Sequence, residues 1–131
     1  MKATARRADE SFEHRVSVRG HRLTCDELAA LGGSDTGPSP QELLAASLAS
    51  CTAITMEMYA ERKGWDIGDV IVEVDYEPAQ RGSPTRFELV VKLPKELPED
   101  QRERLMTIVN KCPVHRTLEG EVMFEERVEL T

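Results

Sequence analysis

The chain has 131 residues, enough for one domain or for one subunit of a compact dimer. Its net charge of −7 argues against a nucleic-acid partner, because an acidic surface and a phosphate backbone repel each other. The first 20 residues hold no apolar run typical of a signal peptide, and no stretch reaches about 18 consecutive apolar residues, so we expect a cytoplasmic protein without a membrane span. Three cysteines in a reducing compartment indicate buried thiols or thiol chemistry rather than structural disulfides.

Three short strands are predicted first, over residues 2–8, 13–19 and 21–26. Several arginines gather in this region, but acidic residues interrupt them. A solvated strand face therefore explains these arginines better than a binding patch does.

A long helix is predicted next, from Pro40 to about Lys63. Ser39 fits the N-cap, Pro40 the first helical position and Glu42 the carboxylate of a capping box. No charge appears between residues 43 and 56, and a helix without a charged face is buried on all sides. Since one small domain hardly covers such a helix, we expect a dimer.

The remaining elements predict a hairpin, two helices and a last strand. Pro113 breaks the first of these helices directly after Cys112. The order of elements favours a single α+β domain, residues 1–131, with antiparallel strands. The strands cover 70–77, 86–93 and 122–130, and the helices cover Pro98 to Cys112 and His115 to Glu119.

The cysteines are the strongest candidates for chemistry. Cys51 lies in the middle of the uncharged helix, far in sequence from Cys112 and without a Cys-x-x-Cys motif, so residue type alone leaves both an inert and a reactive reading open for each. Cys25 lies beside Asp26 and Glu27, whose charges disfavour a thiolate. We therefore assign Cys25 a structural role.

Metal, hydrolytic and phosphate-binding sites find little support. Only Cys112 and His115 have the short spacing of a zinc-ligand pair, and one pair does not make a site. No serine stands in a Gly-x-Ser-x-Gly context, and the Gly32-Gly33 loop lacks the pattern of a phosphate-binding loop.

Two segments resemble the OsmC/Ohr family: GPSPQELLAASLASCTA, ending at Ala53, and KCPVH, ending at His115. The order of elements matches across nearly the whole chain, and Cys51 and Cys112 coincide with the two cysteine positions of the family. The resemblance implies an OsmC-like fold, an intertwined α+β homodimer with antiparallel sheets, two long central helices and active sites between subunits.

The resemblance also implies a reaction. Cys51 would reduce a small-molecule hydroperoxide, organic or hydrogen peroxide, and become a sulfenic acid. Cys112 would condense with it to a disulfide, which an external dithiol reductant would reopen. No metal, haem or flavin is implied, and the role would be an antioxidant stress response.

An arginine from the N-terminal strands, held by a glutamate, activates the thiol in the hydroperoxide-resistance branch. The family's glutamate position is Gln41 here, and the carboxylate follows one residue later at Glu42, which rotates it by about 100° on a helix. Arg15 is our first choice for the arginine, before Arg7 and Arg19. These features look more like the less-studied OsmC-like branches.

Two other functions remain open from the sequence. In the first, the protein is a non-catalytic dimer that binds a small apolar ligand or senses oxidants through Cys51. In the second, Cys51 and Cys112 are core residues of a scaffold without a redox role.

Overall fold

The computed structural model describes residues 1–131, which form five strands, three α-helices and one 3₁₀ turn. The chain divides into two compact units, one of residues 1–46 and 76–87 and the other of residues 47–75 and 88–131. The elements in chain order are β1 (Ala3–Arg7), β2 (His14–Val18), β3 (His21–Cys25), the 3₁₀ turn (Ala29–Leu31), α1 (Pro40–Lys63), β4 (Ile71–Glu77), β5 (Arg86–Lys92), α2 (Glu99–Val109) and α3 (Pro113–Glu119).

The first unit contains an antiparallel sheet in the order β1-β2-β3. On one face, Val16 of β2 lies between Ala5 of β1 and Leu23 of β3. On the other face, Arg15 lies opposite Arg6. The alternation of a strand therefore separates apolar from basic side chains, and the prediction of a solvated arginine face is confirmed.

The loop after β3 is organised by the buried carboxylate of Asp26. This carboxylate accepts hydrogen bonds from the backbone N–H groups of Glu27 (2.7 Å), Ser34 (3.2 Å) and Thr36 (3.1 Å), and from the Thr36 hydroxyl (2.8 Å). Burial acts to raise the pKa of Asp26, but these donors outweigh it and hold the pKa below its usual value.

The capping box at the start of α1 is confirmed. The backbone N–H of Ser39 donates to the Glu42 carboxylate (2.9 Å), and the Glu42 N–H donates to the Ser39 hydroxyl (3.2 Å). Each residue satisfies a backbone donor of the other, which is why the helix begins at Pro40.

Only one stripe of α1 is buried within the chain. Ile54 and Met58 remain 53% and 59% exposed. The other elements of the single chain cover one face of the helix only, as expected for one small domain, and burial on all sides stays a prediction for a dimer. By length and composition α1 is apolar enough to cross a membrane, but core helices of soluble proteins can be equally long and apolar. The buried stripe consists of Leu48, Thr52, Met56 and Ala60.

The core of the second unit joins this stripe to α2. The predicted hairpin forms as β4 and β5, and its half-buried Leu89 and Val91 pack against the core. Burying each large apolar side chain contributes about 1.5–3 kcal/mol. The cluster consists of Met56, Ala60, Ile67, Leu97, Leu105 and Val109.

Two features near the C-terminus differ from the predictions, the end of α2 and the last strand. Helix α2 ends at Val109, so Cys112 lies outside it as the N-cap of α3. The cause is Pro113, which excludes a helical conformation from the residue before it. The predicted strand over 122–130 is absent, and residues 121–131 are exposed without regular structure. A strand forms only against a partner edge, and none pairs with this segment in the chain.

Candidate thiol site

The second unit brings Cys51 and Cys112 together. Cys51 lies on α1 and is partly buried, and the Cys112 side chain hydrogen-bonds to it. Cys112 is fully buried at 0% exposure, and both cysteines are free thiols. Two residues far apart in the sequence therefore share one site.

The position of Cys112 follows from its neighbours in the sequence. Pro113 occupies the first position of α3, and Cys112 before it is extended, with φ −57° and ψ 129°. The Cys112 carbonyl accepts the first hydrogen bond of α3, from the Arg116 N–H at 3.0 Å. The proline thus fixes the thiol at a helix start, where the next backbone N–H groups point out of the helix.

The pKa of the Cys51 thiol is raised above its usual value. Burial is the main cause, and the hydrogen bond in which the Cys51 S–H donates to the Cys112 sulfur acts in the same direction. The backbone N–H of Val114 and the hydroxyl of Thr55 oppose them by donating to the sulfur, but they do not outweigh them. No cation is among these influences, although the resemblance implies one.

Sequence reasoning missed both of these donors. Thr55 stands four residues after Cys51, a spacing that places two side chains on the same helix face, so the sequence did carry a signal for it. Val114 acts through its backbone, and no side-chain pattern identifies such a donor.

His115 is a further polar residue of the second unit, for which the sequence suggests only a metal-ligand pair with Cys112. Its side chain is 18% exposed, and its Nδ1 atom lies 3.2 Å from the Glu119 Oε1 atom. The ion-pair distance is met but the alignment of a hydrogen bond is not, so Nδ1 is buried without a hydrogen-bond partner. A misaligned pair at this distance interacts only weakly.

The predicted supporting residues Glu42 and Arg15 lie in the first unit. The hydrogen bonds from Ser39 hold the pKa of Glu42 below its usual value, so the carboxylate acts as a helix cap. Arg15 is exposed on the basic face of β2. The structure shows no bond between this glutamate and an arginine.

The two other candidate arginines have local roles. Arg7 donates to the backbone carbonyls of Glu10 and Ser11, the latter at 2.7 Å, and so closes the turn after β1. Arg19 has a positive φ of 54° in the turn between β2 and β3. Arg15 remains the first choice.

Cys25 lies on the apolar face of the first sheet, at an open cleft of about 610 Å³. Burial raises the pKa of Cys25, and the charges of Glu27 and Asp26 add to this, as the sequence predicts. The cleft is lined mainly by apolar side chains, among them Phe12, Val16 and Leu43.

No group of three His, Cys, Asp or Glu side chains converges in a way that could hold a metal ion. The pair of Cys112 and His115 thus lacks further ligands.

Comparison with known proteins identifies the architecture. Residues 32–127 match the model of the family described as OsmC-like protein. An OsmC-like protein from Mycoplasma pneumoniae has 21% sequence identity and a TM-score of 0.75, with 91% of this chain and 86% of that chain covered. A Psychrobacter arcticus protein named for the osmotic stress and detoxification response has 20% sequence identity and a TM-score of 0.76, with 89% of this chain and 87% of that chain covered.

The structure of the organic hydroperoxide resistance protein OhrB of Bacillus subtilis is also similar. It has 22% sequence identity and a TM-score of 0.61, with 91% of this chain and 90% of that chain covered. At these identities the likeness shows the fold, a mixed α+β arrangement with antiparallel sheets. No curated protein matches the sequence.

Proposed function

Because the chain belongs to the OsmC-like protein family, we propose that it is a cysteine-dependent peroxidase that reduces organic hydroperoxides and also hydrogen peroxide. The observation that carries the proposal is the hydrogen-bonded pair of free thiols, Cys51 and Cys112. Similar structures include an organic hydroperoxide resistance protein, which supports the substrate class.

The reaction has two steps within the protein. The Cys51 thiolate attacks one peroxide oxygen, the O–O bond breaks, and the alcohol leaves after gaining a proton, so that Cys51 becomes a sulfenic acid. The Cys112 sulfur then attacks the Cys51 sulfur, and water leaves as the disulfide forms. An external dithiol reduces the disulfide. The apolar side chains of α1 around Cys51 favour an organic substrate over a hydrated one.

The raised pKa of Cys51 requires an additional positive charge for fast chemistry. We assign this role to Arg15 of a second subunit, since Arg7 and Arg19 are used in turns. In Arg15→Gln the pKa of Cys51 should rise, and its reaction with peroxide should slow by tenfold or more. A tenfold loss of thiolate corresponds to about 1.4 kcal/mol of lost stabilisation of the thiolate. Arg22→Gln on the same exposed sheet face is the matched control.

The working form is a cytoplasmic homodimer. The exposed Ile54 and Met58 on α1 leave apolar surface that a second copy would cover, and three free thiols are in keeping with a reducing compartment. Tumbling as a monomer at micromolar concentration would contradict this assignment.

The test is a peroxide titration of the reduced protein, with cumene hydroperoxide and hydrogen peroxide in parallel. Intact and peptide masses should show stoichiometric formation of a Cys51–Cys112 disulfide. Cys51→Ser should abolish peroxide consumption, and Cys112→Ser should stop at the sulfenic acid. Cys25→Ser is the matched control and should behave as the wild type. Survival of both thiols in excess peroxide would rule out the peroxidase.

The alternative is a non-catalytic dimer that binds a small apolar ligand or senses oxidants through Cys51. The raised pKa of Cys51 favours it, because a protonated thiol reacts slowly with peroxide. Alkylation of the dimer between pH 6 and 10 separates the two functions. A pKa near or above the usual value in the dimer supports the alternative, and a pKa well below it supports the peroxidase.

A further inference from the structure

Three polar side chains near the N-terminus of α3 lie on one face of the helix. Cys112 is the N-cap, His115 follows three residues later and Glu119 four residues after that. This i, i+3, i+7 spacing places consecutive side chains beside each other, one turn apart. The exposure of these side chains increases along the row, since Cys112 is fully buried, His115 is 18% exposed and Glu119 is 68% exposed.

His115 has an arrangement that its packing does not explain. Its Nδ1 atom is buried without a hydrogen bond, although the Glu119 carboxylate lies 3.2 Å away. A buried polar atom without a partner destabilises the fold and calls for a reason. His115 is also the one histidine in the second unit, because His14 and His21 belong to the first.

The second step of the proposed reaction needs a group of this kind. Cys112 must lose a proton to attack the Cys51 sulfenic acid, but its full burial excludes water as the acceptor. Cys51 itself is oxidised at that stage and cannot serve as the base. The side chain three residues after Cys112 on the same helix is the imidazole of His115, a group that can take up a proton.

We propose that Cys112, His115 and Glu119 form a proton relay for disulfide formation, an inference that rests on the proposed peroxidase function. The imidazole of His115 accepts the Cys112 proton, and the Cys112 sulfur bonds to the Cys51 sulfur. The S–O bond of the sulfenic acid breaks, and the departing hydroxide takes the proton from the imidazolium and leaves as water. The peroxide has already supplied the oxidation, so Cys51 is reduced from sulfenic acid to disulfide while Cys112 is oxidised. Glu119 orients the imidazole and stabilises its charge.

The experiment separates the two steps by rapid mixing with cumene hydroperoxide. Trapping with dimedone follows the Cys51 sulfenic acid, and the mass after acid quenching follows the disulfide. His115→Gln should leave the first step within about twofold and slow the second by about a hundredfold, the lower end of general acid–base contributions. His21→Gln, an exposed histidine on β3, is the matched control and should change neither step.

The pH profile of the second step distinguishes a relay from a structural role. In His115→Gln the second step should accelerate in proportion to hydroxide concentration, because hydroxide has to take the Cys112 proton there, whereas in the wild type the imidazole takes it and the rate should depend much less on pH. Glu119→Gln removes an exposed carboxylate and serves if His115→Gln does not fold, with a slower second step expected.

Equal disulfide rates in the wild type and in both variants would overturn the relay and leave the peroxidase intact. Absence of any Cys51–Cys112 disulfide in the wild type would overturn the peroxidase, and the relay with it.

Discussion

The reactivity of Cys51 depends on a small number of opposing contacts. Burial and the neighbouring Cys112 thiol favour the protonated form, and two hydrogen-bond donors, Thr55 and the Val114 N–H, favour the thiolate. Each donor therefore increases the fraction of Cys51 that is thiolate, and only the thiolate attacks a peroxide.

Thr55→Val keeps the shape of the side chain and removes its hydroxyl. The hydrogen bond to the sulfur lowers the pKa of Cys51, so its loss should raise that pKa and slow iodoacetamide alkylation at pH 8 by roughly three- to tenfold. Thr107→Val is the matched control, since its hydroxyl donates to the Glu103 carbonyl in another helix. An unchanged alkylation profile would mean that the hydroxyl does not act on the thiol.

Asp26 ties stability to pH in the acidic range. Its pKa in the folded protein is below the usual 3.8, so its contribution is fully present above that pH and is lost as the pH falls through the folded value. Asp26→Asn should therefore lower the melting temperature at pH 7, and the difference in melting temperature from the wild type should shrink as the pH falls from about 4 to about 2. Thermal denaturation of both proteins across that range is the measurement, and a gap that stays constant would contradict it.

At the scale of elements, the best predictions came from signals that act over a few residues. Alternation located β2, β4 and β5, and the box formed by Ser39 and Glu42 located the start of α1. The end of α2 differs from the prediction because the apolar stripe continues to Cys112, whereas Pro113 disfavours a helical conformation at that residue.

The candidate site was predictable only in part. The family resemblance singled out Cys51 and Cys112, and the structure brings the two thiols together. Spacing alone does not join residues so far apart, and the raised pKa of Cys51 depends on burial, which the sequence does not quantify. Glu42 shows a related limit, since one residue type serves both as a helix cap and as a partner for arginine.

The loop between β3 and α1 depends on a close backbone contact at Gly33. A Cβ atom there would lie 2.0 Å from the Glu27 carbonyl oxygen, and only a movement of the backbone could relieve this clash. Gly33→Ala should destabilise the protein by about 1–3 kcal/mol, the usual cost of overpacking. Gly20→Ala is the matched control, because a Cβ atom there meets nothing within 4 Å. Urea denaturation compares the two, and equal midpoints would show that the loop yields without cost.

At the scale of the whole molecule, the C-terminal segment, residues 121–131, is exposed along its length and forms no regular structure in the single chain. Its apolar side chains alternate in strand fashion, and Phe124, Val128 and Leu130 are 81%, 87% and 95% exposed. Apolar side chains in such a pattern gain free energy only against another surface. The segment is also acidic, with Glu121, Glu125, Glu126 and Glu129 against Arg127, and this charge complements the arginines exposed on the first sheet.

In the proposed homodimer, a second copy of the chain would offer residues 121–131 a partner edge, an apolar cover and the opposite charge. Phe124→Asp places a charge on the apolar face of the predicted strand and should shift the proposed dimer to a monomer, measured by sedimentation equilibrium at micromolar concentration. Met123→Asp is the matched control, since Met123 is 87% exposed, against 81% for Phe124, but lies on the opposite face of the predicted strand. If only the face of Phe124 is sensitive, the segment binds as a strand in the dimer; if both variants dissociate, it binds without strand geometry; and if neither does, the interface lies on α1 alone.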